Sequence, residues 1–432
     1  MIHIEKVKLK ETRGWSKPGI IDHFLSEYDE ERFHLGFLNR HCSLLWPTLK
    51  SQLKEHNIQV GVKYGTIGAT INQCLNDTES FFEIGDYDIV HCLDKDVAIN
   101  LLSNCNVIVH DYSEGASYPT SDFYTWLKEL NIVPHNLFLH SSGFNFTKTD
   151  LKNVTVLPCS SMFAIYTILQ SDIYNILFDA DAKKDYVNFL RSQRNQNKFK
   201  YLSMIYNRKP RHSRINLLSN LFDKKILDEC LWTLAWKNTS SNTDWNSNNT
   251  VLRHQYFLDE GLSNNSADKK IKNFLKHYKN ILPKNYSGLE AIDPASGTRF
   301  LKDWSGLSKW NSVVEVYTVA DHPSHINPQG FLTEKTFRSY LLGMPCLLIA
   351  APGANNELKN LGLPVFDVID EAETNWNRID QLANFLLEDF NKPKDISNYT
   401  EELLYSFDEF WSLDSLCKII SKPLSNLKPL AS

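Results

Sequence analysis

Two short stretches concentrate charge where a helix should start. In FLTEKTFRSYLLGMPCLLIAAPG (331–353) the spacing of Phe337, Tyr340 and Leu341 predicts a helix opening at Thr333, with Glu334, Lys335 and Arg338 on its other side. Thr333 suits the N-cap and Glu334 suits the partly positive helix end, whereas Lys335 opposes it by a few tenths to about 1 kcal/mol. In NRKPRHSR (207–214), Arg208, Lys209, Arg211 and Arg214 fall within seven residues, between a strand-like run and a helical one. Cations stacked on a positive helix end are costly unless an anion lies there. A phosphate or diphosphate satisfies such an end through free N–H groups and guanidinium forks. The chemistry to expect is the holding of a phosphorylated ligand, with Arg208, Arg211, Arg214, Thr333, Glu334, Lys335 and Arg338 as candidate contacts. The bland alternative is a solvated charged surface.

A transferring enzyme also needs a general base. VIVHDYSEG (107–115) sets Asp111 and Glu114 just past an apolar run, which makes them the catalytic candidates, unless Asp111 merely caps the following turn. Glu83 and Asp86 in FFEIGDYD are weaker ones. The histidines show no HExxH spacing and read as structural. Two Asp-x-Asp strings, Asp86–Asp88 and Asp179–Asp181, are weighed as metal motifs. ILFDADA imitates a metal motif, but Ile173, Ile176, Leu177 and Ala180 share a helix face, so no metal site and no bound cofactor is expected. No GxxxxGK[ST] or GxGxxG occurs, which argues against a P-loop hydrolase and a Rossmann dehydrogenase.

The elements that would carry these residues alternate along the chain. Apolar runs at 57–65, 87–93, 105–111, 136–142 and 153–159 predict buried strands, with a helix over 123–130. A second series has strands at 201–206, 231–236, 312–320, 345–351 and 364–370, with helices after 207, after Thr333 and over NNELKNL. Continuous apolar strands alternating with helices predict parallel, doubly wound α/β sheets. The expected domains are an N-terminal α/β domain over 1–195, a ligand-binding α/β domain over 196–375, and a helical tail over 376–432 that packs back on the N-terminal domain. The second domain carries an irregular insertion at about 237–300 with one amphipathic helix. Ligands of open parallel sheets bind at the carboxyl ends of strands, where both basic stretches fall.

The 432 residues are 42% hydrophobic and 22% charged with a net charge of -5, an ordinary globular composition with no global field to attract nucleic acid. Eight scattered cysteines without a CxxC pair read as reduced thiols of a cytoplasmic protein. Neither a signal peptide nor a transmembrane run is read. Asn-, Lys- and Ile-rich usage fits an AT-rich bacterial or phage genome.

A strand, a TEK helix start, a small residue before proline and an apolar strand ending in PG together resemble the donor-binding segment of GT-B glycosyltransferases. The likeness is to the α-1,3-fucosyltransferase group, and YLSMIYNRKPRHSRINLLSNL (201–221) is similar to the "LNRxxRxHR" stretch of fucosyltransferase-like bacterial and phage proteins. The resemblance covers about 200–235 and 312–370. It implies two Rossmann-like domains facing a cleft and a metal-independent, inverting transferase. The transferred hexosyl or pentosyl group would pass from a nucleoside-diphosphate sugar to a hydroxyl on a glycan, lipid-linked sugar, protein or modified DNA. Glu334 would then bond ribose hydroxyls, Lys335 a donor phosphate, and one of Arg208, Arg211 and Arg214 the diphosphate. The family's Ser/Thr-Glu-Thr is replaced here by YTVADH, which leaves Glu315, Thr318 and Asp321 as weak candidates for the donor sugar. The alternative from another class is a non-catalytic α/β protein that binds a nucleotide or phosphate.

Overall fold

The computed structural model describes residues 2–8, 42–64, 80–85, 89–90, 93–111, 122–141, 143–144, 149–158, 164, 173–196, 198–206, 212–234, 265–278, 304–315, 332–371 and 375–427. Contacts group the chain into two units, Met1–Leu169 with Ser412–Ser432, and Gln170–Trp411. This division falls elsewhere than the expected boundaries at 195 and 376.

The first unit runs β1 (Ile2–Lys8), α1 (Cys42–Glu55), β2 (Ile58–Tyr64), β3 (Ser80–Gly85), α2 (Lys95–Asn104), β4 (Asn106–Asp111), α3 (Asp122–Leu130), β5 (Asn136–Ser141) and β6 (Val154–Pro158). Its six strands are parallel, in the order β2-β1-β3-β4-β5-β6. β2 lies on one side of β1 and β3 on the other, so strand order reverses between β1 and β3. Phe82, Val107, Val109, Leu137 and Leu139 bury one face against Leu101 and Leu102 of α2 and Phe123 and Leu127 of α3. Of the strand expected at 87–93, only residues 89, 90 and 93 are described, and none of them is in a strand. Ile89 and Val90 form a π-helical turn, and the strand lies upstream at Ser80–Gly85, where Phe81, Phe82 and Ile84 are buried. Cys105 is disulfide-bonded, which corrects the expectation of thiols throughout. Scattered positions in the chain do not reveal which cysteines the fold brings together. Cys230, Cys346 and Cys417 are free and buried.

The second unit runs α4 (Tyr174–Leu177), α5 (Ala180–Asn195), β7 (Tyr201–Ile205), α6 (His212–Asp223), β8 (Leu231–Trp232), α7 (Asn265–Tyr278), β9 (Ser308–Val314), α8 (Glu334–Leu341), β10 (Cys346–Ile349), α9 (Ala354–Asn360), α10 (Asn375–Asn391) and α11 (Ser397–Glu409). Among the described residues its sheet has four parallel strands in the order β10-β9-β7-β8. The chain steps from β7 to β8 on one side, and β9 then enters on the other, so the reversal lies between β7 and β9. Such a reversal opens a crevice at the carboxyl ends of the strands. A last helix, α12 (Leu413–Leu424), packs on α1 and β6 of the first unit.

β9 explains how this sheet holds the following helix. Side chains alternate across a strand. Trp310 and Val314 join a core with Leu218 and Leu221 of α6, Phe274 of α7 and Leu382 and Leu386 of α10. Asn311, from the other set, donates to Ser339 Oγ on α8 at 2.6 Å. The expected strand at 312–320 therefore starts earlier, at Ser308, because its polar residues are satisfied in the interior. Arg194 Nη1 donates to the Ser308 carbonyl at 2.6 Å, and Ser203 and Ser312 share a hydroxyl bond of 2.7 Å. The buried Asp389 carboxylate accepts from Lys309 Nζ at 2.7 Å, Trp310 Nε1 at 2.9 Å and Lys394 N at 2.6 Å. PVFDVID (364–370) forms no strand; α9 stops at Gly362, whose φ of +78° favours glycine, and the chain then runs irregularly. Asp179 caps α5, its carboxylate accepting from Ala182 N at 2.9 Å, so ILFDADA is a helix start.

Removing Asp389 leaves the Lys309 ammonium buried without its partner. Asp389→Ala should lower unfolding stability by about 3–5 kcal/mol, read as a lower urea midpoint, with Asp389→Asn between it and the parent.

Candidate functional site

The TEK helix starts where the spacing placed it. Thr333 is the N-cap of α8 and accepts from Lys335 N at 3.2 Å. Phe337, Tyr340 and Leu341 are buried as expected. The sequence reading gave little weight to Glu315, the residue after β9, and it is the hub of the site. A single carboxylate oxygen, Oε1, accepts from Thr333 N at 3.1 Å, Thr333 Oγ1 at 2.6 Å and Thr336 Oγ1 at 2.7 Å. The backbone N–H of Glu315 donates to the Ile349 carbonyl at 2.9 Å, tying the ends of β9 and β10 together. Glu315 thus places an anion against the positive end of α8, a position that stabilises a helix.

Lys335 also finds an anion within the chain. Its ammonium lies 2.5 Å from Glu334 Oε1, with both side chains largely buried. Burial alone would raise the Glu334 carboxyl; the charges of Lys335 and Arg338, with the Lys335 hydrogen bond, outweigh it and hold the group at about 2. The cost of a lysine at a helix start is therefore offset internally, and a ligand is not needed to explain its presence.

The two arginines differ. Arg338, expected on the polar side, is 6% exposed. Burial lowers its pKa, opposed by the charges of Glu334, Tyr206 and Glu315. Among the described residues its guanidinium makes no hydrogen bond. Arg214, on α6, is 4% exposed and donates Nε to the Val314 carbonyl at 3.2 Å; its two terminal nitrogens have no partner among the described residues. No nitrogen of either guanidinium is among the fully buried side-chain atoms left without a partner, so these arginines offer donors held in place by buried side chains and not desolvated, orphaned ones. Both arginines flank Val314 and Glu315 at the carboxyl end of β9, beside the reversal of strand order. Here the geometry can grip an anion. By contrast, the start of α9 is filled by the chain itself, Glu371 accepting from Gly353 N at 3.1 Å and Asn355 N at 2.7 Å.

Arg208, Lys209, Arg211, Thr318 and Asp321 lie outside the described residues, as do Asp86, Asp88 and Glu114. Asp111 closes β4, paired in register with Ser141 of β5, and its side chain is not described. β4 is one strand away from the reversal in its sheet, whereas Glu83 sits on β3, at the reversal itself. Among the described residues no group of three or more His, Cys, Asp or Glu side chains could hold a metal ion, and no helix is long and apolar enough to cross a membrane.

No protein-family model matches the chain, and no curated protein matches it. Among solved structures, the N-terminal domain of trehalose-6-phosphate phosphatase from Candida albicans aligns with 98% of this chain and 97% of its own, at a TM-score of 0.42 and 12% identity. So distant a likeness carries no argument. What the chain itself displays is a mixed α/β protein with parallel, Rossmann-like sheets.

The Glu334 linkage has a definite sign. Its folded pKa is depressed, so its stabilisation is full above the ordinary value of 4.5 and lost as pH falls toward about 2. The stability difference between the parent and Glu334→Gln should be constant above pH 5 and shrink steadily below it, measured by denaturant titration at a series of pH values.

Proposed function

We propose that this protein is a glycosyltransferase that moves a sugar from a nucleoside-diphosphate sugar to a hydroxyl acceptor, by an inverting and metal-independent route. The observation that carries the reading is the pair of buried arginines, Arg214 and Arg338, whose donors are unfilled at the carboxyl end of β9. Lys335 and the start of α8 adjoin them. Glycosyl transfer passes through an oxocarbenium-like state while the diphosphate leaves with growing negative charge. Fixed guanidinium and ammonium groups stabilise that charge most where their side chains are held in a partly desolvated site, and these side chains are largely buried.

In this reading the diphosphate takes the open donors of Arg214 and Arg338, with Lys335 turning its ammonium from Glu334 toward a donor phosphate. The freed Glu334 carboxylate then accepts from ribose hydroxyls. Arg208 and Arg211 belong to the same basic segment. Asp111 and Glu114 are the candidates for the general base, and the fold in this reading is of the GT-B kind. The acceptor is a glycan, a lipid-linked sugar, a protein or modified DNA, and the site of action is the cytoplasm. The competing reading, a binding protein without turnover, keeps the anion site and lacks the base.

Calorimetric titration with GDP, UDP, CDP and dTDP tests the anion site. One of them should bind, and Lys335→Ala should weaken it roughly tenfold to a hundredfold, the span of about 1.5–3 kcal/mol for a charge-assisted hydrogen bond. Equal affinity in the variant for every nucleoside diphosphate removes the role given to Lys335. Slow release of free sugar from the matching nucleotide sugar, undiminished by EDTA, should separate the enzyme from the binding protein, which releases none.

A further inference from the structure

The Glu315 carboxylate is used on one side only. Oε1 takes three hydrogen bonds from Thr333 and Thr336, whereas Oε2 is buried and has no partner among the described residues, in a side chain only 3% exposed. A desolvated carboxylate oxygen left unsatisfied is among the more costly groups a fold can carry. The threonine donors fix the orientation of the group. The backbone of Glu315, held by the Ile349 carbonyl, fixes its position. With Oε1 spent on the start of α8, Oε2 is the oxygen left over at the carboxyl end of β9, beside the reversal of strand order, where ligands of such sheets bind. Among the described residues no cation forms an ion pair with it. Arg338 lies within electrostatic reach but makes no hydrogen bond to it.

We infer that Glu315 Oε2 accepts a hydrogen bond from an O–H or N–H group of the bound ligand, making Glu315 a specificity-determining residue. The inference rests on the nucleotide-sugar reading above and adds to it. The cations beside Glu315 select the charge of the ligand, and Oε2 selects a donor group at a fixed place next to that charge. A ligand carrying an acceptor or a methyl group there leaves Oε2 buried and unpaired, a mismatch that polar sites reject strongly. Two parts of a nucleoside diphosphate supply such a donor, the ribose hydroxyls and the ring N–H of guanine or uracil.

Glu315→Gln isolates this function. The amide keeps the shape of the side chain, and the three threonine donors hold its oxygen in the place of Oε1, so an NH2 replaces Oε2 and opposes the donor of the ligand. Binding would be measured calorimetrically for parent and variant with GDP and UDP, with their 2′,3′-dideoxy forms, with their ring-N-methylated forms, and with inorganic pyrophosphate. For whichever diphosphate binds, one of the two ligand modifications should weaken binding to the parent tenfold or more. Glu315→Gln should weaken the unmodified ligand to a similar extent and be indifferent to that same modification, as two partners of one contact must be. Pyrophosphate should bind parent and variant alike. Which modification matters tells ribose from base. Several results overturn the inference while leaving the anion site standing: a variant that binds as the parent does, a modification that weakens both proteins equally, or a pyrophosphate loss as large as the nucleotide loss. Indifference of the parent to both modifications overturns it even if the variant melts too low to titrate. Failure of the parent to bind any nucleoside diphosphate overturns the donor reading, and this inference with it.

Discussion

The carboxylate of Glu315 joins a strand to a helix. It leaves the carboxyl end of β9, takes the Thr333 N–H together with the hydroxyls of Thr333 and Thr336, and so fixes where α8 begins. The backbone of the same residue is bonded to Ile349, which brings the end of β10 into one frame with β9. A helix end without such a partner leaves up to four N–H groups to water or to chance. With it, the first turn of α8 becomes a rigid platform, and Lys335 and Arg338 project from known positions.

Charge is then distributed with little slack. Glu315 faces the helix end, Glu334 holds Lys335, and Arg338 sits among Glu334, Glu315 and Tyr206 without a hydrogen bond among the described residues. Two carboxylates thus compensate two cations along α8, while Arg214 arrives from α6 with spare donors. Such a cluster has a resting state that is self-consistent in the absence of ligand, yet it retains unfilled guanidinium hydrogens for an anion. In the proposed reading an anion entering here would compete with Glu334 for Lys335, so that a passing phosphate would be held weakly. Differential binding of this kind is what a leaving group needs, because the demand for cations grows as charge develops.

The alternating parallel architecture was legible because buried parallel strands are apolar on both faces, as in 105–111 and 136–142, which became β4 and β5. The start of α8 was legible too, since Thr333 and the spacing of Phe337, Tyr340 and Leu341 are local signals. β9 was placed too late, since Ser308, Lys309, Asn311 and Ser312 look like a turn until Arg194, Asp389, Ser203 and Ser339 are brought to them by the fold. The same blindness hid the site. Lys335 was read as facing a ligand, when its nearest partner is its own neighbour Glu334; Arg338 was read as outward, and is buried. Glu315 stood only as a weak candidate in the sequence, because a lone acid after an apolar run becomes a hub only through residues that follow it by 18 and 21 positions. The unit boundaries at 169 and 412 were equally remote from local pattern, although a tail packing back on the first domain was expected and 412–432 does so through α12 on α1 and β6.

The central claim is that the buried guanidinium groups at the end of β9 are completed by a diphosphate. Thermal melting of the unaltered chain with nucleoside diphosphates, with their sugar-bearing forms and with the parent nucleosides tests it most directly. The account predicts that one diphosphate series raises the melting temperature with increasing concentration while its nucleoside leaves it unchanged. Melting temperatures that stay level through millimolar amounts of every diphosphate, or rise equally with the nucleoside, contradict it.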